Sequence, residues 1–111
     1  MSAKITHLED KFVWEIVPYQ LDLSRNTAFL TNGDVISDVA FGIYAKGDDP
    51  ETPTLLTTMV YATSYSGAVI QCDVGSGTDT VGTYILRGRA TCVSGRRYEA
   101  FGQFKVVEEE N

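Results

Sequence analysis

The sequence predicts an all-β chain, a sandwich of about seven antiparallel strands in one domain. Three observations lead there. Apolar and polar residues alternate with period two along most of the chain, the pattern of strands that bury one face. Clusters of Gly, Pro, Asn, Asp and Ser interrupt the alternation every roughly 8–12 residues. Residues 5–10 have some helical character, but a helix that short is not stable alone.

Residues 11–17 alternate, with Phe12, Trp14 and Ile16 on one face, and Trp14 is expected in the core. Pro18 interrupts the run, and residues 20–24 alternate again around Leu21 and Leu23. Residues 25–30 are compatible with a turn of helix, and Asn32-Gly33-Asp34 reads as a turn. Beyond it Val35, Val39, Phe41 and Ile43 share a face whose one polar member is Ser37. Residues 46–53 hold two prolines, a glycine and three acids, the composition of a solvated loop. Residues 55–62 are rich in the β-favouring Thr, Val and Tyr. A turn at 65–67 leads into the alternating Ala68, Ile70, Cys72 and Val74, and residues 75–79 make another turn. The longest regular stretch is 82–93. Tyr84, Leu86, Gly88, Ala90 and Cys92 form one face, and Thr83, Ile85, Arg87, Arg89, Thr91 and Val93 the other. Ser94-Gly95 closes a tight hairpin before the last strand, 97–107.

An acid and a glycine precede Tyr84 in residues 79–84. That segment resembles the tyrosine corner of immunoglobulin-like sandwiches, where a tyrosine hydroxyl bonds back to upstream backbone. The Cys–Trp–Cys spacing of antibody domains is absent, because Cys72 and Cys92 lie too close in sequence. The expectation is an immunoglobulin-like β-sandwich over residues 11–107, an N-terminal arm over 1–10 and an acidic tail over 108–111.

Composition narrows the function classes. The chain has 111 residues, 43% hydrophobic and 22% charged, a globular profile. No run of about 18 apolar residues marks a membrane-spanning helix. The first ten residues lack the apolar core of a signal peptide, so a cytosol, or a particle assembled there, is expected. The formal charge is −6, from 9 basic and 15 acidic residues. Such a chain does not attract phosphate backbones, so no nucleic-acid recognition is expected. Two cysteines and the single His7 nearly empty the inventory for a zinc site or a nucleophilic triad. No cofactor, no metal and no enzymatic activity are expected.

The residues that could carry chemistry also have bland readings. Gly75-Ser76-Gly77 is half of a phosphate-binding glycine loop, but no Gly-Lys-Ser/Thr follows and Asp73 and Asp79 flank it, so it reads as a turn. Asp34, Asp38, Asp48, Asp49 and Glu51 are a possible calcium set, but residues 48–51 lack the spacing and the glycine of a calcium loop and read as a solvated acidic loop. Cys72 and Cys92 both fall on apolar phases; a disulfide is geometrically open, and buried free thiols are favoured. Arg87, Arg89, Arg96 and Arg97 make a local positive patch. They either pair across the sheet with Glu99 and other acids, or meet an acidic partner surface or another copy's Glu108-Glu109-Glu110.

Several landmarks in order resemble a family of small β-sandwich proteins of tailed bacteriophages, the fiber–tail adaptor or neck/tail structural proteins. They are Leu21-Asp22-Leu23-Ser24; Leu30 followed by Gly33-Asp34-Val35-Ile36-Ser37; and Gly75-Ser76-Gly77-Thr78 leading to Gly82-Thr83-Tyr84. Thr91, Ser94-Gly95-Arg96 and the closing Phe104-Lys105-Val106-Val107 complete the series. The resemblance covers about residues 20–107. It implies a non-enzymatic virion protein that assembles as multiple copies and joins tail or portal to fibers or other tail proteins. Its partners would be other copies of itself and portal, tail or fiber proteins, with no membrane involved. The contact residues expected are Arg87, Arg89, Arg96 and Arg97, the loop residues Lys46, Asp48 and Asp49, and Ile5 and Leu8 of the arm. A reading of a different class is a carbohydrate-binding module, with Tyr44, Tyr61 and Tyr65 as stacking faces for sugar rings.

Overall fold

A computed structural model describes residues 5–49, 51–75 and 80–108. Parts of four expected features lie outside the described residues: 1–4 of the arm, Pro50 of the 46–53 loop, 76–79 of the glycine turn, and 109–111 of the tail. Two sheets pack face to face. The first has the order β1 (Ile5–His7), β8 (Arg97–Val107), β7 (Gly82–Cys92), β4 (Ile36–Ala45), and β2 (Lys11–Phe12) also pairs with β8. The second runs β3 (Val17–Asp22), β6 (Val69–Val74), β5 (Val60–Ser66). This is an immunoglobulin-like β-sandwich, as the alternation predicts. The antiparallel expectation holds except at one edge, where β1 and β2 run parallel to β8.

The inner phases meet between the sheets. Leu21, Ile43, Ile70, Leu86, Phe104 and Val106 are all at most 1% exposed. The tyrosine corner is present: Tyr84 donates its hydroxyl to the Thr80 carbonyl at 2.8 Å. Leu86, two residues on, fills the place where such domains carry their second cysteine. Cys72 and Cys92 are buried free thiols.

Local chemistry sets the connections. After a 3-10 turn at Leu23–Arg25, α1 (Thr27–Asn32) starts on Asn26, whose side chain accepts from the amides of Ala28 and Phe29. It ends at Gly33, whose φ of 62° only glycine adopts readily. The helix seats Phe29 edge-on against Tyr98, ring centroids 5.3 Å apart. A second 3-10 turn, Thr57–Met59, leads into β5.

Three expectations are corrected. Residues 5–10 are not helical: β1 lies along β8, Leu8 donates to the Gln103 carbonyl at 2.8 Å, and its side chain packs over Gly102. The described part of the arm is thus a strand of its own sheet. Val35 does not share the buried face of Val39, Phe41 and Ile43; it is 66% exposed and Ile36 takes the inner place. The reason is a bulge between Ile36 and Asp38, where one extra residue on β4 reverses the phase. Trp14 is not core. It is 84% exposed, because Lys11, Val13, Val17 and Tyr19 hold the inward phase and Phe12, Trp14 and Ile16 the outward one.

Candidate interaction surface

Among the described residues no group of three or more His, Cys, Asp or Glu could hold a metal ion. Burial pushes the Cys72 thiol up to about 12 and also raises Cys92, so neither is poised as a nucleophile. The distinctive chemistry lies in what the two ends of the sandwich present.

One end is built around Trp14. The Glu15 amide donates to the Phe12 carbonyl at 3.1 Å, closing a tight turn over residues 12–15. The Phe12 amide donates to Glu15 Oε1 at 2.7 Å, and Val13 donates to the Val107 carbonyl at 3.1 Å. Beneath the turn lies Lys11, 1% exposed, its ammonium donating to the carbonyls of Phe12 at 2.8 Å and Val13 at 3.3 Å. Burial lowers the Lys11 pKa from its ordinary value, and the nearby Glu15 carboxylate opposes that shift. A turn held by these five hydrogen bonds thus keeps an indole in solvent. Phe12 and Ile16 flank it at 40% and 60% exposure, and Val81, just before β7, adds 47%.

The opposite end carries Leu30, Val35 and Val93, exposed by 64%, 66% and 75%. Val93 donates its amide to the Val35 carbonyl at 2.9 Å, which ties the β7–β8 turn to the start of β4. Arg96 reaches Asp34 at 3.3 Å. The Asp34 carboxylate also accepts the Tyr98 hydroxyl, which takes a further bond from Asn32 at 2.9 Å. The Tyr98 hydrogen bond is the main reason the Asp34 pKa is lowered, with Arg96 adding to it.

The expected contact residues fall in different places. Arg87, Arg89 and Arg97 occupy one outward phase of β7 and β8. Arg89 is tied to Glu99 at 2.9 Å, the cross-strand pairing foreseen as the bland alternative. Arg87 pairs in register with Gly42 and Phe101, and its side chain makes no hydrogen bond or ion pair among the described residues. Arg96 sits in the turn and Arg97 is exposed beside it. Ile5 is 45% exposed next to Phe101, whereas Leu8 is used for packing. The 46–53 loop lies at the Trp14 end, where the Lys46 amide bonds to Thr83, so it does not join the arginines. Asp49 is engaged within that loop, accepting from the Glu51 amide and the Thr52 hydroxyl. Of the three tyrosines assigned to sugar stacking, Tyr44 is buried, at 6%. Tyr61 and Tyr65 are exposed on β5, with the Tyr65 hydroxyl donating to the Ser37 carbonyl at 3.1 Å. The exposed Trp14 and the buried Lys11 were the residues missed in the sequence. The alternation shows which side chains share a face but not which face turns inward.

No family model matches the chain, and no curated protein matches it. Among solved structures it is similar to the first immunoglobulin-like domain of human CD48 antigen, at 13% identity and a TM-score of 0.44. That comparison covers 100% of this chain and 88% of the other.

Proposed function

We propose that this chain is a non-enzymatic structural protein of tailed-phage particles. It is present in several copies at the neck, tail or fiber base and joins tail or portal to fibers or other tail proteins. One observation carries the reading: the sandwich exposes apolar groups at both ends. Val81 and Val93 flank the eleven-residue β7 and lie about 40 Å apart along it, at about 3.3 Å per residue. A body with an apolar contact at each end is suited to joining one protein to another. The ordered landmarks over residues 20–107 supply the particle. In the fold three of them fall at structural junctions: Gly33 ends α1, Tyr84 makes the corner and Gly95 turns the last hairpin at φ 91°.

The test is immunogold electron microscopy of purified particles with an antibody to this chain. Gold at the head–tail junction or the tail tip supports the assignment. Unlabelled particles, with the protein abundant in the infected lysate, remove it. A glycan array then tests the carbohydrate-binding alternative.

A further inference from the structure

Asn32-Gly33 is the one Asn-Gly step in the chain, and it closes α1. Glycine has no side chain to keep its amide nitrogen away from the side-chain carbonyl carbon of the asparagine before it. The surroundings are open as well: a Cβ built on Gly33 would meet nothing within 4 Å, and both residues are exposed to water. Two hydrogen bonds hold the reactive groups. The Gly33 amide donates to the Phe29 carbonyl at 3.1 Å, as the cap of the helix. Asn32 Nδ2 donates to the Tyr98 hydroxyl at 2.9 Å, and that hydroxyl donates to Asp34. The nucleophile and the leaving group of an intramolecular attack are thus each tied to a different partner.

We propose that Asn32 is a site of spontaneous deamidation, held shut by the Tyr98 hydroxyl and opened by local fraying of the last turn of α1. Helix ends open without the rest of the chain unfolding. Opening frees the Gly33 nitrogen, which gives its proton to solvent and attacks Asn32 Cγ. The new C–N bond closes a five-membered succinimide, the Cγ–Nδ2 bond breaks, and the nitrogen leaves as ammonia with a proton from solvent. Water then adds to one of the two ring carbonyls. Opening at Cγ gives aspartate, and opening at the main-chain carbonyl gives isoaspartate. Asn26 lacks this reactivity. The β-branched Thr27 follows it, its Oδ1 accepts from the Ala28 and Phe29 amides, and its Nδ2 donates to the Glu99 carbonyl at 3.0 Å. The products at residue 32 do not fit the clamp they replace. A carboxylate accepts where Asn32 donated, so the single Tyr98 hydroxyl proton faces two acids, the new one and Asp34. A negative charge in the last turn also opposes the helix dipole. Isoaspartate further lengthens the main chain at the cap. Each product loosens the seat of Phe29 on Tyr98.

The test incubates the full chain at neutral pH, folded and in urea, and follows amide-to-acid conversion at Asn32 and Asn26 by peptide mass mapping. Asn32 converts to a mixture of aspartate and isoaspartate, faster in urea than in the folded chain, while Asn26 stays an amide. Tyr98→Phe keeps the ring against Phe29 and removes the lock on the Asn32 amide. It raises the folded-state rate about fivefold, the factor that one hydrogen bond sets on an opening equilibrium. Tyr84→Phe loses a similar bond at the other end of the sandwich and leaves the rate unchanged, which separates local opening from global unfolding. Asn32→Asp reproduces one product directly and lowers the urea midpoint. Five results would each overturn the proposal: no conversion at Asn32 in the folded wild type or in Tyr98→Phe, conversion of Asn26 at the same rate, equal rates in folded and urea-unfolded chains, acceleration by Tyr84→Phe equal to that by Tyr98→Phe, or an unchanged midpoint for Asn32→Asp. None of these outcomes depends on where the protein sits in a particle.

Discussion

Replacing Gly88 with alanine puts one methyl group into the contact between the two sheets. A Cβ there would stand 2.6 Å from Ile70 Cδ1, 3.0 Å from a Phe41 ring carbon and 3.1 Å from Leu21 Cδ1. Carbon atoms rest at about 3.5 Å or more, so Ile70 Cδ1 must retreat by about 0.9 Å and the other two by about half that. All three contacts are side-chain ends that can shift, but they belong to buried core residues, where close packing makes a displacement of this size costly. Overpacking of this kind costs about 1–3 kcal/mol, and the lower entropy of the unfolded alanine chain returns up to about 1 kcal/mol. The expected net loss is about 1.5 kcal/mol, read as a lower urea midpoint with an unchanged slope. Ile70→Val removes the atom at the shortest distance and alone costs about 1 kcal/mol. In the double variant the new methyl occupies the space Cδ1 leaves, so the combined loss is about 1 kcal/mol smaller than the sum. A neutral Gly88→Ala, or strict additivity in the double variant, would refute the close approach of β7 to β6 and β3.

Three further outcomes are expected. Tyr84→Phe keeps the ring in the core and removes the bond to Thr80, lowering stability by about 1 kcal/mol in denaturant unfolding; no change would show that the corner bond contributes nothing. The Cys72 thiol titrates at about 12 in the folded chain against 9.0 ordinarily, so above pH 9 the unfolded thiol ionises while the folded one keeps its proton. Its contribution is complete below that pH and is lost as the pH rises, by about 1.4 kcal/mol at pH 10. Tyr19, also raised by burial, acts in the same direction. Cys72→Ala removes only the thiol's share, and equal slopes for wild type and variant between about pH 8 and 10 would contradict it. Trp14→Ala leaves monomer stability within about 0.5 kcal/mol, because the indole packs on little of its own chain; a loss of several times that would place Trp14 in the core after all.

The two-sheet architecture was legible because most of its strands bury one face. Ile70, Cys72 and Val74, or Tyr84, Leu86 and Ala90, repeat every second residue, and only an inward phase explains them. The corner at Tyr84 was legible too, since a glycine and an acid before a strand-opening tyrosine form a local pattern. The misreadings have local causes. The bulge at Ile36 inserts one residue, and no composition signal distinguishes Val35-Ile36 from Ile36 alone as the inward member. Residues 5–8 were misread because a three-residue strand has too few repeats to show a period; only β8 beside it makes it a strand.

The inversion at residues 11–17 bears most on function. Phe12, Trp14 and Ile16 are more apolar than Lys11, Val13 and Glu15, so a transfer free energy summed over each face favours burying the wrong one. The fold overrides that sum because Lys11 at the edge of β8 finds two carbonyls for its ammonium and covers core with its aliphatic stem. The chain accepts a buried lysine and an exposed tryptophan in the same turn, against the hydrophobic preference of each. The lysine is compensated within the chain by those carbonyls, whereas the indole is not, and an apolar group left exposed without a gain in the monomer marks a candidate contact surface. That is why the Trp14 turn, rather than the arginine patch legible in the sequence, is the stronger candidate for contact. Arg89 and Arg96 are already satisfied by Glu99 and Asp34, whereas most of the indole surface has no partner within the chain.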